Sequence, residues 1–401
     1  MDSLTQLTLG AAVGEAVLGK KVGNRAMVWG AFGGLLPDFD VFARFFTDEI
    51  TALAFHRGAM HSVLFSIFAA LILAWMVEWL YRSNVYRRKR YKGLVTVFIF
   101  SIYTLLILGM NMIFNSPNVL IGGVIGGAVI GWFLWTSYLR KDLEEVSASR
   151  AGWFWLFFLS IVTHPILDCF TTYGTQILWP FSDARVSWDN ISVADPLYTI
   201  PLFLGVLIAS FISRHNNKRH IINWAGIVIS SLYMAFTFYH KAQFNKIFEK
   251  SMVEQGIEFN RYMSGPTILQ NFLWLGVAED DDYYYHGYYS FFNKEPNIQQ
   301  FSKLPKNHEW VAHLNEERAV KILKWFSKGY WNVIKRNDGR LQMNDLRYGS
   351  FNGEFEKEND YIFKFILSEE NGELKVDESR EGRDVNGDAL KEYFDRVFGR
   401  I

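Results

Sequence analysis

Four apolar runs, 62–82, 93–113, 118–139 and 152–170, are each long enough to cross a bilayer. A segment in hydrocarbon must satisfy its own backbone, so such runs fold as helices or not at all. Two further runs, 196–213 and 221–239, are nearly as apolar. Near the start, 4–19 and 25–36 are shorter and rich in Gly and Ala, a composition that spans by tight packing or forms a re-entrant pair. The expectation is a mainly α, polytopic membrane domain of about eight segments over 1–241. Residues 242–401 are charged and polar and read as a separate soluble α+β domain. The formal net charge of +0 gives no reason to expect a nucleic-acid partner. A single cysteine, Cys169, excludes an internal disulfide and a Cys-rich zinc module. The opening "MDSLTQLTLG" has no basic region before its apolar stretch, unlike a usual signal peptide.

The basic residues alternate between loops. Lys20, Lys21 and Arg25, then Arg82, "RRKR" (87–90) and Lys92, then Arg140, Lys141 and Arg150, then Arg214, Lys218 and Arg219 fall on one side. The opposite loops hold only Arg44, Arg57 and Arg185. Positive-inside reasoning makes the basic loops cytoplasmic, so the N-terminus, the 171–194 loop and the soluble domain are expected outside, in a multi-pass inner (plasma) membrane protein. The ladder "GGVIGGAVIG" (122–131) reads as a close helix-packing face, because no strand precedes it to make a phosphate loop.

In the soluble half, "TILQNFLWLGVAE" and "YYYHGYYSFF" read as strands, and "NEERAVKILKWFSK" (315–328) as an amphipathic helix. "RNDGR" and "EENGE" are hairpin signals, and "ALKEYFDRVF" a short closing helix. The acidic run "EDDD" (279–282) reads as a solvated turn, with a divalent-cation site as the alternative. No catalytic constellation stands out here.

Titratable residues of the outward side concentrate in three places. "GLLPDFDVF" carries Asp38 and Asp40, "HRGAMHSVLF" carries His56 and His61, and "THPILDCFTTYGT" carries His164 and Asp168. His164 and Asp168, four apart, share a helix face, with His164 roughly 9 Å below the outer end of its span. Taken singly, each has a plain structural account. The aspartates could end a helix, the first two histidines could sit at the interface, His164 could bond a carbonyl, and Asp168 could pair with Arg57 or Arg185. Together, three histidines and three aspartates on one side of a membrane point to a metal site, since ionisable groups at that depth are expensive unless paired or ligating. Mixed imidazole and carboxylate donors suit zinc first, with manganese or iron as alternatives.

The order and spacing of "MDSLTQLTLGAAVGEAVLG", "LPDFD", "HRGAMHS", "THPILDCFTTYGTQ" and "DPLYTIP" resemble the YdjM-like, LexA-regulated family of inner-membrane-associated metal-dependent hydrolases, over roughly residues 1–200. The resemblance implies a metal site formed by Asp38, Asp40, His56, His61, His164 and Asp168. The His-x-x-x-Asp pair is also similar, more distantly, to that of zinc-dependent phospholipase C and related single-strand nucleases. Many relatives have histidine where this chain has Gln6, a poor zinc ligand, and Glu15 lies on the opposite helix face.

The resulting expectation is a hydrolase at the outer face of the membrane, acting on a phosphoester of a lipid or lipid-linked substrate drawn from the bilayer. Asp40, His61 and Asp168 are the expected catalytic groups, and Arg57 and Arg185 the clamp for an anionic head group. A structural metal in a non-catalytic envelope protein is the main alternative. A metal transporter is disfavoured, because 93–113, 118–139, 196–213 and 221–239 contain no Asp or Glu along their depth. The orientation is directly testable: a reporter active only in the cytoplasm, fused after Ile401, is expected to be silent, and strong signal would reverse the assigned sides.

Overall fold

The computed structural model describes residues 1–350, 353–370, 373–381 and 387–400. The chain divides into two compact units, one of Met1–Ala70 with Trp155–Ile401, the other Leu71–Phe154.

The first unit opens with α1 (Ser3–Val22), capped by the Asp2 carboxylate on the Thr5 N–H, and α2 (Asn24–Leu35). The turn between them needs Gly23, whose φ of 63° lies in the left-handed region. A Cβ on Gly10, Gly14 or Gly30 would overlap the carbonyl oxygen of Gly30, Ala26 or Gly10 respectively, so the glycines let the two backbones touch. A 3-10 segment, Leu36–Phe45, follows, then α3 (Glu49–Phe55), a 3-10 turn over Ala59–His61, and α4 (Val63–Arg82).

The second unit takes the end of α4, α5 (Lys89–Phe114), α6 (Pro117–Leu134) and the start of α7 (Arg150–Asp168). The glycine ladder is indeed a packing face. Cβ atoms at Gly123 and Gly126 would strike Ile107 and Tyr103 of α5, and the Tyr103 hydroxyl donates to the Gly123 carbonyl at 2.7 Å.

Returning to the first unit, α8 (Pro196–Ser210) pairs with α9 (Asn217–Glu254). Among the described residues five helices are long and apolar enough to cross a membrane, namely α4, α5, α6 with its extension to Leu139, α7 and α9; α8 is a shorter apolar helix. The count of about eight spans is therefore not reached. The 12 residues of α2 rise only about 18 Å, against a hydrocarbon core of about 30 Å. Polar groups buried along α1 (Thr5, Gln6, Thr8 and Glu15) explain why it packs inside the bundle rather than against lipid.

The 38-residue α9 runs unbroken through the expected boundary at 241/242. Beyond it the chain forms two antiparallel meanders. The first joins β1 (Arg261–Pro266), β2 (Leu273–Glu279), β3 (Tyr283–Ser290) and β4 (Ser302–Pro305). After α10 (Arg318–Phe326), the second joins β5 (Trp331–Lys335), β6 (Leu341–Ser350), β7 (Tyr361–Glu370) and β8 (Glu373–Ser379). Helix α11 (Gly387–Val397) closes it. The "RNDGR" turn joins β5 to β6 as expected, whereas Asn371 and Gly372 of "EENGE" lie outside the described residues. "EDDD" is a turn: Asp280 Oδ1 accepts the N–H groups of Asp282 and Tyr283, and Glu279 pairs with Arg261 and Lys306.

Strand periodicity sorts the residues into layers. Trp274, Ala278, Tyr285 and Tyr289 face Phe244, Phe248 and Met252 of α9. The other face of that sheet sends Leu275, Val277 and Tyr284 against Leu346 and Tyr361 of the second sheet. The far side of the second sheet, with Val333, Met343, Phe365 and Val376, receives Val320 and Leu323 of α10 and also Ile50 and Leu53 of α3. The β layers thus pack on the short helix that leads into His56.

Gly14→Ala and Gly30→Ala should each lower stability by about 1–3 kcal/mol by forcing α1 and α2 apart. Gly93→Ala, where nothing lies within 4 Å of the added methyl, should leave the thermal midpoint in detergent unchanged.

Candidate metal centre

Three local structures bring the donors together. Pro37 starts the 3-10 segment that carries Asp38 and Asp40. His61 ends the 3-10 turn before α4, and His164 and Asp168 share a face of α7. Asp38, His61 and His164 each offer a ligand atom, and these atoms lie within 4.8 Å of one another. His164 Nε2 and His61 Nε2 are 3.1 Å apart, and Asp38 Oδ1 is 3.4 Å from the first and 3.6 Å from the second. Asp168 Oδ2 lies 3.4 Å from both imidazole nitrogens.

The outer faces of the two rings are committed. His164 Nδ1–H donates to the Gly34 carbonyl at 2.6 Å, which leaves Nε2 as the basic nitrogen. His61 Nδ1 lies 3.1 Å from Asp40 Oδ2, an ion-pair contact not aligned as a hydrogen bond, and this turns Nε2 toward His164. A carbonyl or carboxylate behind each ring is the usual way to hold a metal-ligating histidine. Asp168 Oδ2 is buried and accepts no hydrogen bond, although Arg57 Nε lies 3.2 Å away. An unsatisfied buried carboxylate oxygen is costly, and here it points at the space between the imidazoles. The donor set therefore fits a divalent ion held by Asp38, His61 and His164, with Asp168 beside it.

The other expected residues take different places. Asp40 accepts from His56 Nδ1 at 2.8 Å and from the Arg57 N–H at 2.9 Å, so it orients both histidines of "HRGAMH". His56 is turned away from the three-donor cluster and lines an adjoining cleft. Arg57, with φ of 60°, sits in a left-handed conformation that non-glycine residues seldom adopt. Its Nη1 donates to Thr171 Oγ1 at 2.8 Å, and its guanidinium lies 4.8 Å from the Tyr173 ring. Arg185 donates to the carbonyls of His56 at 2.6 Å and Leu53 at 3.3 Å, under the rings of Tyr173, Trp325 and Phe326. Both arginines are buried and spoken for, not open to a head group.

Sequence reasoning did not assign the Met1 amine, which contacts Asp168 Oδ1, or Tyr173. Gln6 Nε2 donates to Asp168 Oδ1 at 3.0 Å and to the His164 carbonyl at 3.3 Å, while its buried Oε1 has no partner. Glu15 points elsewhere, into a buried pair with Arg219 whose Nε donates to Oε1 at 2.6 Å.

Burial alone would push the Asp38 carboxyl up, but hydrogen bonds from His164 and His61 hold it well below the usual carboxylate range. Asp40 is held down in the same way by His56 and His61. Burial would lower His61, yet Asp168, Asp38 and Asp40 together push it up to about 10. Burial holds His56 below its ordinary value despite Asp40. In the metal-free protein, His61 is thus an imidazolium at neutral pH, a positive charge where the ion would lie.

Comparison with known families matches the model described as YdjM inner membrane protein to residues 1–114 and 119–244. No curated protein and no solved structure matches the chain.

Because an ion must displace the His61 proton, affinity for zinc should fall about tenfold for each pH unit between 8 and 6, with about one proton released per ion. Calorimetry in buffers of different ionisation enthalpy measures both. Elemental analysis should find metal in the wild type and none in His164→Ala. Asp40→Asn should retain the site but weaken it about 10–100-fold, because His61 loses the carboxylate behind its ring.

Proposed function

The chain belongs to the YdjM inner membrane protein family, and from that premise we propose that it is a membrane-bound, metal-dependent hydrolase working at the outer face on a phosphoester of a lipid or lipid-linked substrate. The observation that carries the reading is the convergence of Asp38, His61 and His164 beside an unsatisfied Asp168 oxygen. Asp38, His61 and His164 would hold a divalent ion, zinc by the donor set, which when bound would supply Lewis-acid polarisation and activate a water.

The protein's own groups divide the remaining work. Gly34 O and Asp40 fix the rings of His164 and His61 so that both Nε2 atoms face inward. Asp40 also holds His56, whose Nδ1 is thereby occupied and whose Nε2 is left to take up or return a proton at the cleft. An imidazole with its pKa below the ordinary value is uncharged at neutral pH and able to accept that proton. Arg57 balances the charge of Asp168 from behind.

A structural ion is the second reading. The full burial of His61, His164 and Asp168 favours it, since a closed set of ligands leaves no open position. Asp38 argues the other way, because its side chain keeps 22% of its surface accessible beside the buried histidines.

The experiment screens metal-loaded protein in detergent against phospholipids, lipid-linked phosphates and small phosphoesters. His61→Ala and His164→Ala should abolish turnover while the protein remains inserted. His56→Ala should lower kcat about 10²–10⁴-fold with metal content intact. The wild-type rate should decline as pH falls through the His56 pKa, below 6.5, because the protonated ring cannot accept a proton. Metal-loaded protein inert on every class would favour the structural ion, and hydrolysis persisting in His164→Ala would assign the activity elsewhere.

A further inference from the structure

Arg57 and Arg185 are taken up by internal partners, so an anionic substrate needs other cations. One more arginine lies in the outward loops: Arg44, exposed on the 3-10 segment. Across from it, Arg380 follows β8 and is also exposed. Neither has a carboxylate partner among the described residues. Both line one cavity of about 410 Å³ that also reaches Asp40 and His56. One wall comes from the 3-10 segment and α3, the other from the edge of the second sheet.

The lining is amphipathic. Val41, Phe45, Leu53 and Phe363 supply apolar surface beside the two guanidinium groups. From the mouth an aromatic ridge continues outward, with Phe42 52%, Phe45 74% and Phe46 86% exposed. The rings of Phe42 and Phe45 stack at 6.2 Å. Exposed aromatic rings beside membrane helices suit the boundary between head groups and acyl chains.

Charge narrows the ligand further. Glu49 and Glu378 line the same cavity, and Glu49 Oε2 accepts the Glu378 N–H at 2.9 Å. Asp40, the third carboxylate of the lining, is taken up by His56 and the Arg57 N–H, and Glu49 and Glu378 offset the two arginines, so a doubly charged phosphate gains less here than a group with a single negative charge. We infer that this cleft is the substrate-binding site for a phosphodiester amphiphile, with Arg44 and Arg380 gripping the phosphodiester from the membrane half and the soluble half, and Phe45 and its neighbours holding the apolar tail. The inference deepens the hydrolase reading and rests on it for the reaction, but binding can be measured without turnover.

The probe is dihexanoylphosphatidylglycerol, kept below its micellar concentration and titrated into the full-length protein in amphipol. Its deacylated counterpart, glycerophosphoglycerol, separates a lipid from a free phosphodiester. Binding should be saturable and at least tenfold tighter for the lipid. Arg44→Gln and Arg380→Gln should each weaken it roughly tenfold, the loss of one charge-assisted contact, and the double variant by more. Both side chains are exposed, so the variants should fold normally. Arg340→Gln, an exposed arginine in the β5–β6 hairpin, should bind as wild type. Saturable, arginine-dependent binding by the metal-loaded wild type without turnover of any lipid phosphodiester upholds the cleft and overturns the hydrolase reading. Absent saturable binding, binding indifferent to both arginines, or equal affinity for the deacylated head overturns the cleft. Turnover with an unchanged KM in the double variant does the same while leaving the hydrolase standing.

Discussion

The Asp168 carboxylate is fully buried near the end of a membrane helix, and the surrounding structure is arranged to tolerate it. A carboxylate removed from water costs several kcal/mol unless it is paired and hydrogen-bonded. Gln6 comes from α1, Arg57 from the strained loop, His61 from the turn before α4, and His164 from one helical turn back. Each partner requires its element to be in place. The glycine-faced α1–α2 pair brings Gln6 and the Gly34 carbonyl to the same point, and Arg57 reaches Asp168 with its backbone held at positive φ by Asp40 and Gln176. The centre and the packing of the N-terminal helices are therefore one construction.

The C-terminal β layers belong to that construction too. Ile50 and Leu53 of α3 sit in the core of the second sheet, and Arg185 joins the His56 carbonyl to the rings of Trp325 and Phe326. Arg347 of β6 donates to the Thr172 carbonyl at 3.1 Å, in the loop after α7. The histidine loop is thus gripped from the membrane side by Asp40 and from the soluble side by aromatic rings. A fixed loop is what a metal centre requires, because ligand atoms must be held to a fraction of an ångström.

What could be read from the residues follows from how local each signal is. "LPDFD", "HRGAMH" and "HPILD" each carry a residue of the Asp38, His61 and His164 cluster, and a polar residue beside an apolar run stands out in any sequence. Their division of labour was not legible. Asp38 and Asp40 are two residues apart on one 3-10 turn, and only the position of the His61 ring decides that the first faces the centre while the second braces it. Asp168 was legible as a partner for Arg57, whereas the carbonyl and aromatic partners of Arg185 come from residues far away in sequence. The strands and the "RNDGR" turn were legible from alternation and turn chemistry. The seven residues of α3 were not, because so short a helix carries less than two full periods, and its apolar face is answered by strands some 300 residues later.

The fall in hydropathy after residue 240 does not mark the end of a helix, because hydropathy follows composition and not backbone continuity. Helix α9 continues to Glu254 and seats Phe244, Phe248 and Met252 beneath the first sheet. A module on a flexible linker would swing through a cone and meet the bilayer at varying heights and tilts. One carried on a continuous rod of about 57 Å has a fixed standoff. The first sheet is thus joined to the apolar part of α9 by unbroken helix, with no linker residues at which the two could turn independently.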